Sequence, residues 1–138
     1  MTVHAWTDGA ARGNPGDGGI GVIIRDEAGK ELYSFGGFIG TTTNNVAEYR
    51  ALLHCLRKAA KIRAAAMVVH SDSLLMVRQM RGEYKVKDKK LASLHRQAHQ
   101  LLQALPFNVQ FIHIDRELNR YADVLANAGI DRRIPCEA

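Results

Sequence analysis

Apolar and polar positions alternate in "VHAWTD" (residues 3–8), the two-residue period of a half-buried strand. The runs "GIGVIIRDE" and "KELYSFGGFIG" continue in β-rich composition, joined through the turn-like "DEAGK", so this part of the chain reads as a three-strand antiparallel meander. From Asn45 the period lengthens to that of a helix, with Tyr49, Leu52, Leu53, Leu56 and Ala60 on one stripe. "AMVVHS" is a short apolar run suited to a buried parallel strand, and "SLLMVRQM" predicts a short helix closed by Gly82. Leu91, Leu94, Ala98, Leu101, Leu102 and Leu105 mark a further amphipathic helix stopped by Pro106. "NVQFIHI" reads as the last strand and "ELNRYADVLANAG" as the last helix, with Gly129 as its expected C-cap.

The predicted order is βββαβααβα, with hairpins first and crossovers later. It implies an α/β fold: one five-stranded mixed sheet, a three-strand antiparallel meander plus two parallel strands, flanked by helices. No repeat or linker divides the 138 residues, and a chain of this length buries roughly two-thirds of its unfolded surface, so a single domain over 1–138 is expected.

Composition narrows the setting. Cys55 and Cys136 share no C-x-x-C spacing, which points to neither a disulfide framework nor a thiolate zinc site and fits a reducing cytoplasm. No signal-like segment opens the chain and no apolar run approaches a bilayer span, so a cytoplasmic protein without membrane association is expected, monomeric by default. The net charge of +5 favours a polyanionic partner. Its distribution strengthens that reading, because Arg78, Arg81, Lys85, Lys87, Lys89, Lys90 and Arg96 are crowded together.

Against this basic background four acids stand at element ends or edges. Asp8 closes the first predicted strand and Asp72 follows the fourth, where ligands gather if the two strands are parallel neighbours. Each also has a plain structural role open to it: Asp8 as a turn former before Gly9, Asp72 as a helix N-cap. Glu48 completes a capping-box spacing with Asn45, yet it also lies one turn before Leu52 and so leaves its helix beside the buried stripe. Asp123 shares a polar strip with Asn119 and Asn127 beside Leu118, Ala122, Leu125 and Ala126, or pairs on the surface with Arg120. Acids beside phosphates require a cation, and hard divalent ions take carboxylate oxygens. Two such ions suit an in-line phosphoryl displacement.

The segments "TDGAARGNPGDGGIGVII", "TTTNNVAEYRALL", "HSDS" and "RELNRYADVLANAG", in this order and spacing, resemble the four signature segments of the ribonuclease H family, type 1 branch, in its archaeal-like form. The resemblance spans nearly the whole chain and agrees with the fold read from periodicity. It implies an endoribonuclease that cuts the RNA strand of an RNA–DNA hybrid with two Mg²⁺ ions, or Mn²⁺ in their place, leaving 3′-hydroxyl and 5′-phosphate ends. Carried over, the metal ligands are Asp8, Glu48, Asp72 and Asp123, with Glu48 also orienting the nucleophilic water. The backbone at Gly13 and the side chains of Asn14 and Asn45 approach the RNA strand, where 2′-hydroxyls distinguish RNA from DNA, and Thr43 lies near a DNA-strand phosphate.

Three departures follow. Many bacterial members carry a loop histidine before the last helix; here "IDRELN" offers Arg116 as a cation near the scissile phosphate, or as a surface partner of Glu117 or Asp115, while His113 falls inside the strand. The basic protrusion of those members is missing, which leaves "RGEYKVKDKK" either to supply hybrid contacts through Tyr84, Lys85 and Lys87 or to serve as a solvated linker. Leu74 replaces a glutamine often found two residues after the third acid.

Two rivals share the fold: a duplex-binding module that does not cut, and a nuclease that also cleaves double-stranded RNA. A zinc hydrolase built on His95 and His99 lacks the H-E-x-x-H glutamate. The glycine-rich segment at 6–21 is not a phosphate cradle, because a strand rather than a helix follows it. Its glycines read instead as a tight hairpin connection that brings backbone close to a ligand while Asp8 is held at the strand end.

Overall fold

The structure is a computed structural model that describes residues 1–136; residues 137 and 138 lie outside the described residues. Three strands, β1 (Thr2–Gly13), β2 (Gly16–Arg25) and β3 (Glu31–Thr42), form the expected meander and lead into α1 (Asn44–Ala59). They are followed by β4 (Ala66–Ser71), α2 (Leu74–Met80), α3 (Lys89–Ala104), β5 (Asn108–His113), a 3₁₀ turn (Arg116–Asn119) and α4 (Arg120–Arg132). The sheet order is β3-β2-β1-β4-β5, with β1 antiparallel to β2, β2 antiparallel to β3, and β1/β4 and β4/β5 parallel.

The α1 stripe packs Tyr49, Leu52, Leu53 and Leu56 against Val3, Ala5, Val22, Ile24, Met67 and Val69 to form the main core. α3 packs on the outer side of α1, while α4 covers the opposite face of the sheet over β2 and β3. Burying one Leu or Ile side chain contributes about 1.5–3 kcal/mol, so this stripe is what fixes α1 to the sheet. Ala60 is exposed: α1 ends at Ala59, which is buried in its place. No helix among the described residues is long and apolar enough to cross a membrane.

Four boundaries differ from expectation, each for a local reason. β1 does not stop at Asp8; it pairs with β2 through to Gly13↔Gly16, and only residues 13–16, with a cis Asn14–Pro15 bond, form the turn. The cap of α1 is Thr43, whose Oγ1 accepts from Val46 N at 3.3 Å, so Asn45 and Glu48 do not form a capping box. Ser73 rather than Asp72 caps α2, its Oγ accepting from Met76 N at 3.2 Å. The last helix begins later than its pattern suggested, so Leu118 sits in the 3₁₀ turn at 68% exposure instead of on the packed face.

Gly129 is not a C-cap either, since α4 continues to Arg132 and closes on left-handed Arg133. A Cβ at Gly129 would lie 2.4 Å from the Gly37 backbone nitrogen, so glycine there lets α4 seat directly on β3.

Candidate active site

The parallel pairing of β1 with β4 ends at Thr7↔Ser71. The next residue on each strand is an acid, Asp8 and Asp72, so the register brings two carboxylates side by side at the carboxyl ends of two parallel strands. The third comes from α1. A Cβ at Gly9 would stand 2.1 Å from the Ala47 carbonyl carbon and 2.2 Å from Glu48 N, so only glycine admits the helix this close to the strand. The contact is then locked by Gly9 N donating to Glu48 Oε1 at 2.9 Å. One ligand oxygen from each of Asp8, Glu48 and Asp72 lies within 4.8 Å of the others.

Asp123, on the first turn of α4, comes from the other face of the sheet and stands outside this 4.8 Å group. Its charge is among those that raise the pKa of the Asp8 carboxyl. Asn127 Nδ2 holds Asp123, donating to its Oδ1 at 3.2 Å and to its backbone oxygen at 3.0 Å. Arg120 forms no ion pair with it among the described residues.

These acids are strongly perturbed. Asp8 is only 5% exposed; burial first, then the charges of Glu48, Asp72 and Asp123, pushes its carboxyl far above the usual range. Glu48 is raised in the same direction, by burial and then by Asp72, against the opposing bond from Gly9 and the charge of Arg116. Asp72 is also raised by burial, with a hydrogen bond from Asn119 and the charges of Arg116 and His113 pulling the other way. Such a cluster of hard oxygen donors, each destabilised as an anion by its neighbours, fits divalent cations of the Mg²⁺ and Mn²⁺ class.

Arg116, exposed on the 3₁₀ turn, therefore faces Glu48 and Asp72 electrostatically, and no ion pair with Asp115 or Glu117 forms among the described residues. Two contributors escaped the sequence reading. His113 is a strand residue as expected, but it pairs with Ser71 and so ends beside Asp72. Asn119 is 1% exposed and donates from Nδ2 to Thr7 O at 2.8 Å, tying the entry of α4 to β1 next to the acids. A polar side chain at the start of an apolar helix face was the available signal for it.

Beside the carboxylates runs a groove lined by Asn14, Thr41, Thr43, Asn45, Asp88 and Lys90. It gathers three of the expected substrate residues next to the turn that holds Gly13. Asn14 Oδ1 accepts from Asn44 N at 3.1 Å, which fixes the β1–β2 turn to the start of α1. Tyr84, Lys85 and Lys87 are not part of this lining, which takes Lys90 from the basic stretch. Tyr84 is 45% exposed, with the Arg78 guanidinium 5.3 Å from its ring centre, and Lys85 and Lys87 are exposed in the α2–α3 linker. Leu74 is exposed at the first position of α2.

The close approach of Gly9 to α1 revises the reading of the glycine-rich segment. Gly19 and Gly21 likewise lie against α4, where a Cβ would meet Ala126 O at 2.4 Å and Ala122 O at 2.0 Å. Gly9, Gly19 and Gly21 thus let helices seat on the sheet, a role additional to the hairpin connection at residues 13–16.

Comparison with known proteins agrees with this arrangement. A family profile described as reverse transcriptase-like matches residues 6–129. A bifunctional protein of Mycobacterium tuberculosis is 39% identical over 95% of this chain, which spans only 36% of that relative's length. The crystal structure of RNase H1 from the halophilic archaeon Halobacterium salinarum superposes with a TM-score of 0.90 at 35% identity, covering 96% of this chain and 99% of that one. LC11-RNase H1, solved in complex with an RNA/DNA hybrid, gives a TM-score of 0.90 at 43% identity, over 94% of this chain and 97% of that one.

Proposed function

The chain belongs to the ribonuclease H family, type 1 branch, and we propose that it is an endoribonuclease that hydrolyses the RNA strand of RNA–DNA hybrids, leaving 3′-hydroxyl and 5′-phosphate ends. The observation that carries this reading is the convergence of Asp8, Glu48 and Asp72 within 4.8 Å at the ends of two parallel strands, with the charge of Asp123 acting on Asp8. The complex of LC11-RNase H1 with a hybrid supports the substrate class.

In this reading Asp8, Glu48, Asp72 and Asp123 would hold two divalent cations. When bound, such a pair supplies an activated water and stabilises the charge that develops on the leaving oxygen. The remaining work falls to the chain itself. Glu48 commits Oε1 to Gly9 N, so its second oxygen is the one that would serve a cation or the attacking water. Asn127 keeps the Asp123 carboxylate in place, and Asn119 ties the entry of α4 to β1 beside Asp8. Arg116 supplies positive charge beside the scissile phosphate, offsetting the charge of Glu48 and Asp72. Thr43, Asn45, Asn14 and the Gly13 backbone bind the sugar-phosphate edges along the groove, and the linker with Tyr84, Lys85 and Lys87 extends the contact.

The test is cleavage of matched labelled RNA–DNA, RNA–RNA and DNA–DNA duplexes over a Mg²⁺ and Mn²⁺ series. Metal-dependent cutting of the hybrid, abolished in Asp8→Asn, is the expected result. Binding without cutting at any metal concentration would reduce the protein to a duplex-binding module, and equal cutting of RNA–RNA would widen the substrate class.

A further inference from the structure

The histidine pair of α3 is not used by the carboxylate site. His95 and His99, one helical turn apart, place their Nε2 atoms 3.2 Å from each other, and His95 Nε2 lies 3.1 Å from the backbone oxygen of Gln79 on α2. Both rings are partly buried. Three electron-rich atoms thus converge from two helices. A ring nitrogen has a single in-plane site. If His95 Nε2 donates a proton to Gln79 O, it has no lone pair left to accept from His99, and if it accepts from His99, Gln79 O keeps its bond from Gly82 N but none from His95. One shared cation would engage all three atoms together.

The spacing also fits. Imidazole nitrogens bind zinc at about 2.0–2.1 Å, which in tetrahedral geometry separates two of them by about 3.3 Å. Gln79 O lies at the C-terminal end of α2, where it already accepts from Gly82 N at 3.1 Å and where the helix dipole favours positive charge. His99 is held below the ordinary imidazole range by burial and by His95, which keeps its lone pair free at neutral pH.

We infer that His95 Nε2, His99 Nε2 and the Gln79 carbonyl oxygen form a second metal site, separate from the carboxylates and selective for a borderline transition ion such as Zn²⁺ or Ni²⁺. Imidazole donors suit these ions, whereas Mg²⁺ takes oxygen. The site does not perform chemistry. It joins the end of α2 to α3 at the base of the loop that carries Tyr84, Lys85 and Lys87, and so fixes the direction in which that basic loop leaves the domain.

The test is calorimetric titration of the full chain with Zn²⁺ in a large excess of Mg²⁺, which occupies the carboxylates, together with the visible spectrum of Co²⁺ in place of Zn²⁺. One equivalent is expected to bind, with a tetrahedral Co²⁺ spectrum, and with affinity reduced at least about tenfold in His99→Gln and in His95→Gln but retained in Asp8→Asn. Nitrogen-15 spectra of the unsubstituted protein's imidazoles provide a readout that needs no variant: the Nε2 signals of His95 and His99 shift on Zn²⁺ addition while those of His4 and His70 stay. No saturable Zn²⁺ binding under excess Mg²⁺, binding that persists in the double variant, binding lost only in Asp8→Asn, or unmoved His95 and His99 signals would each overturn the inference.

Discussion

The proposed catalytic floor and the proposed binding rim are built on different principles. On the floor, burial first and neighbouring carboxylates second raise the carboxyls of Asp8, Glu48 and Asp72, and Asn119 Oδ1 and Thr7 Oγ1 are buried without partners. On the rim the side chains are held by local contacts, although Arg78 Nε is itself buried without a partner: Thr43 caps α1, Asn14 holds Asn44 N, and Tyr84 stacks on Arg78. The floor holds unfavourable electrostatic energy that cations relieve, whereas the rim is a preformed surface that needs little rearrangement to meet a duplex. Substitutions on the floor should therefore act on catalysis and on metal- and pH-dependence, and those on the rim on affinity and salt dependence.

The largest break in this contrast is Asp8→Asn. It removes a ligand at the centre of the cluster, and hybrid cleavage in Mg²⁺ is expected to fall at least about a thousandfold, roughly 4 kcal/mol of barrier. The same change should leave hybrid binding in gel-shift assays nearly intact; a matching loss of binding would show that floor and rim are not separable.

Gly9→Ala tests the floor without touching an acid. Its Cβ would fall 2.1 Å from the Ala47 backbone, which has no flexible end to yield, so α1 must move and carry Glu48 with it. A stability loss of about 1–3 kcal/mol and about a hundredfold loss of turnover are expected in denaturant titration and steady-state assays. Wild-type turnover in this variant would show that the position of Glu48 tolerates displacement.

The pH dependence sharpens the same point. Because the folded carboxyls of Asp8, Glu48 and Asp72 are raised, the folded chain holds more protons than the unfolded one above about pH 4. Metal-free stability must then fall as pH rises through the window between the ordinary and the raised values. Melting in EDTA should show a lower midpoint at pH 8 than at pH 5.5, with Mg²⁺ recovering much of the difference and Asp8→Asn flattening the slope. A midpoint that rises over this range would contradict the electrostatic account of the floor.

The smallest effect belongs to the rim. Lys85→Ala and Lys87→Ala should each weaken hybrid binding a few-fold and reduce the log–log salt slope by about one. An unchanged slope would make the linker a solvated segment rather than part of the interface.

Much of this protein is legible along the chain because its elements follow local periods. The two-residue alternation of "VHAWTD" and the stripe through Tyr49 and Leu56 predicted strands and helix that the sheet then used. The boundaries were less legible wherever a residue has two local roles. Asn45 and Glu48 satisfy a capping box in spacing, but Thr43 takes the cap and Glu48 is drawn to Gly9 N, a partner 39 residues away. Gly129 has the form of a helix stop, but its missing side chain serves contact with Gly37 on another element.

The four acids could each be picked out in the sequence, since each sits at an element end or edge, and their order and spacing marked the family. Their convergence is a property of tertiary structure alone. The parallel register of β1 with β4 sets Asp8 beside Asp72, the close seating of α1 on Gly9 brings in Glu48, and the packing of α4 brings in Asp123. Local sequence determines which way a side chain leaves its own strand or helix, because the backbone period fixes it. Which carboxylates share a few ångströms, and how deeply each is buried, depends on how those elements dock. That is decided by long-range packing, which no single stretch of the chain encodes.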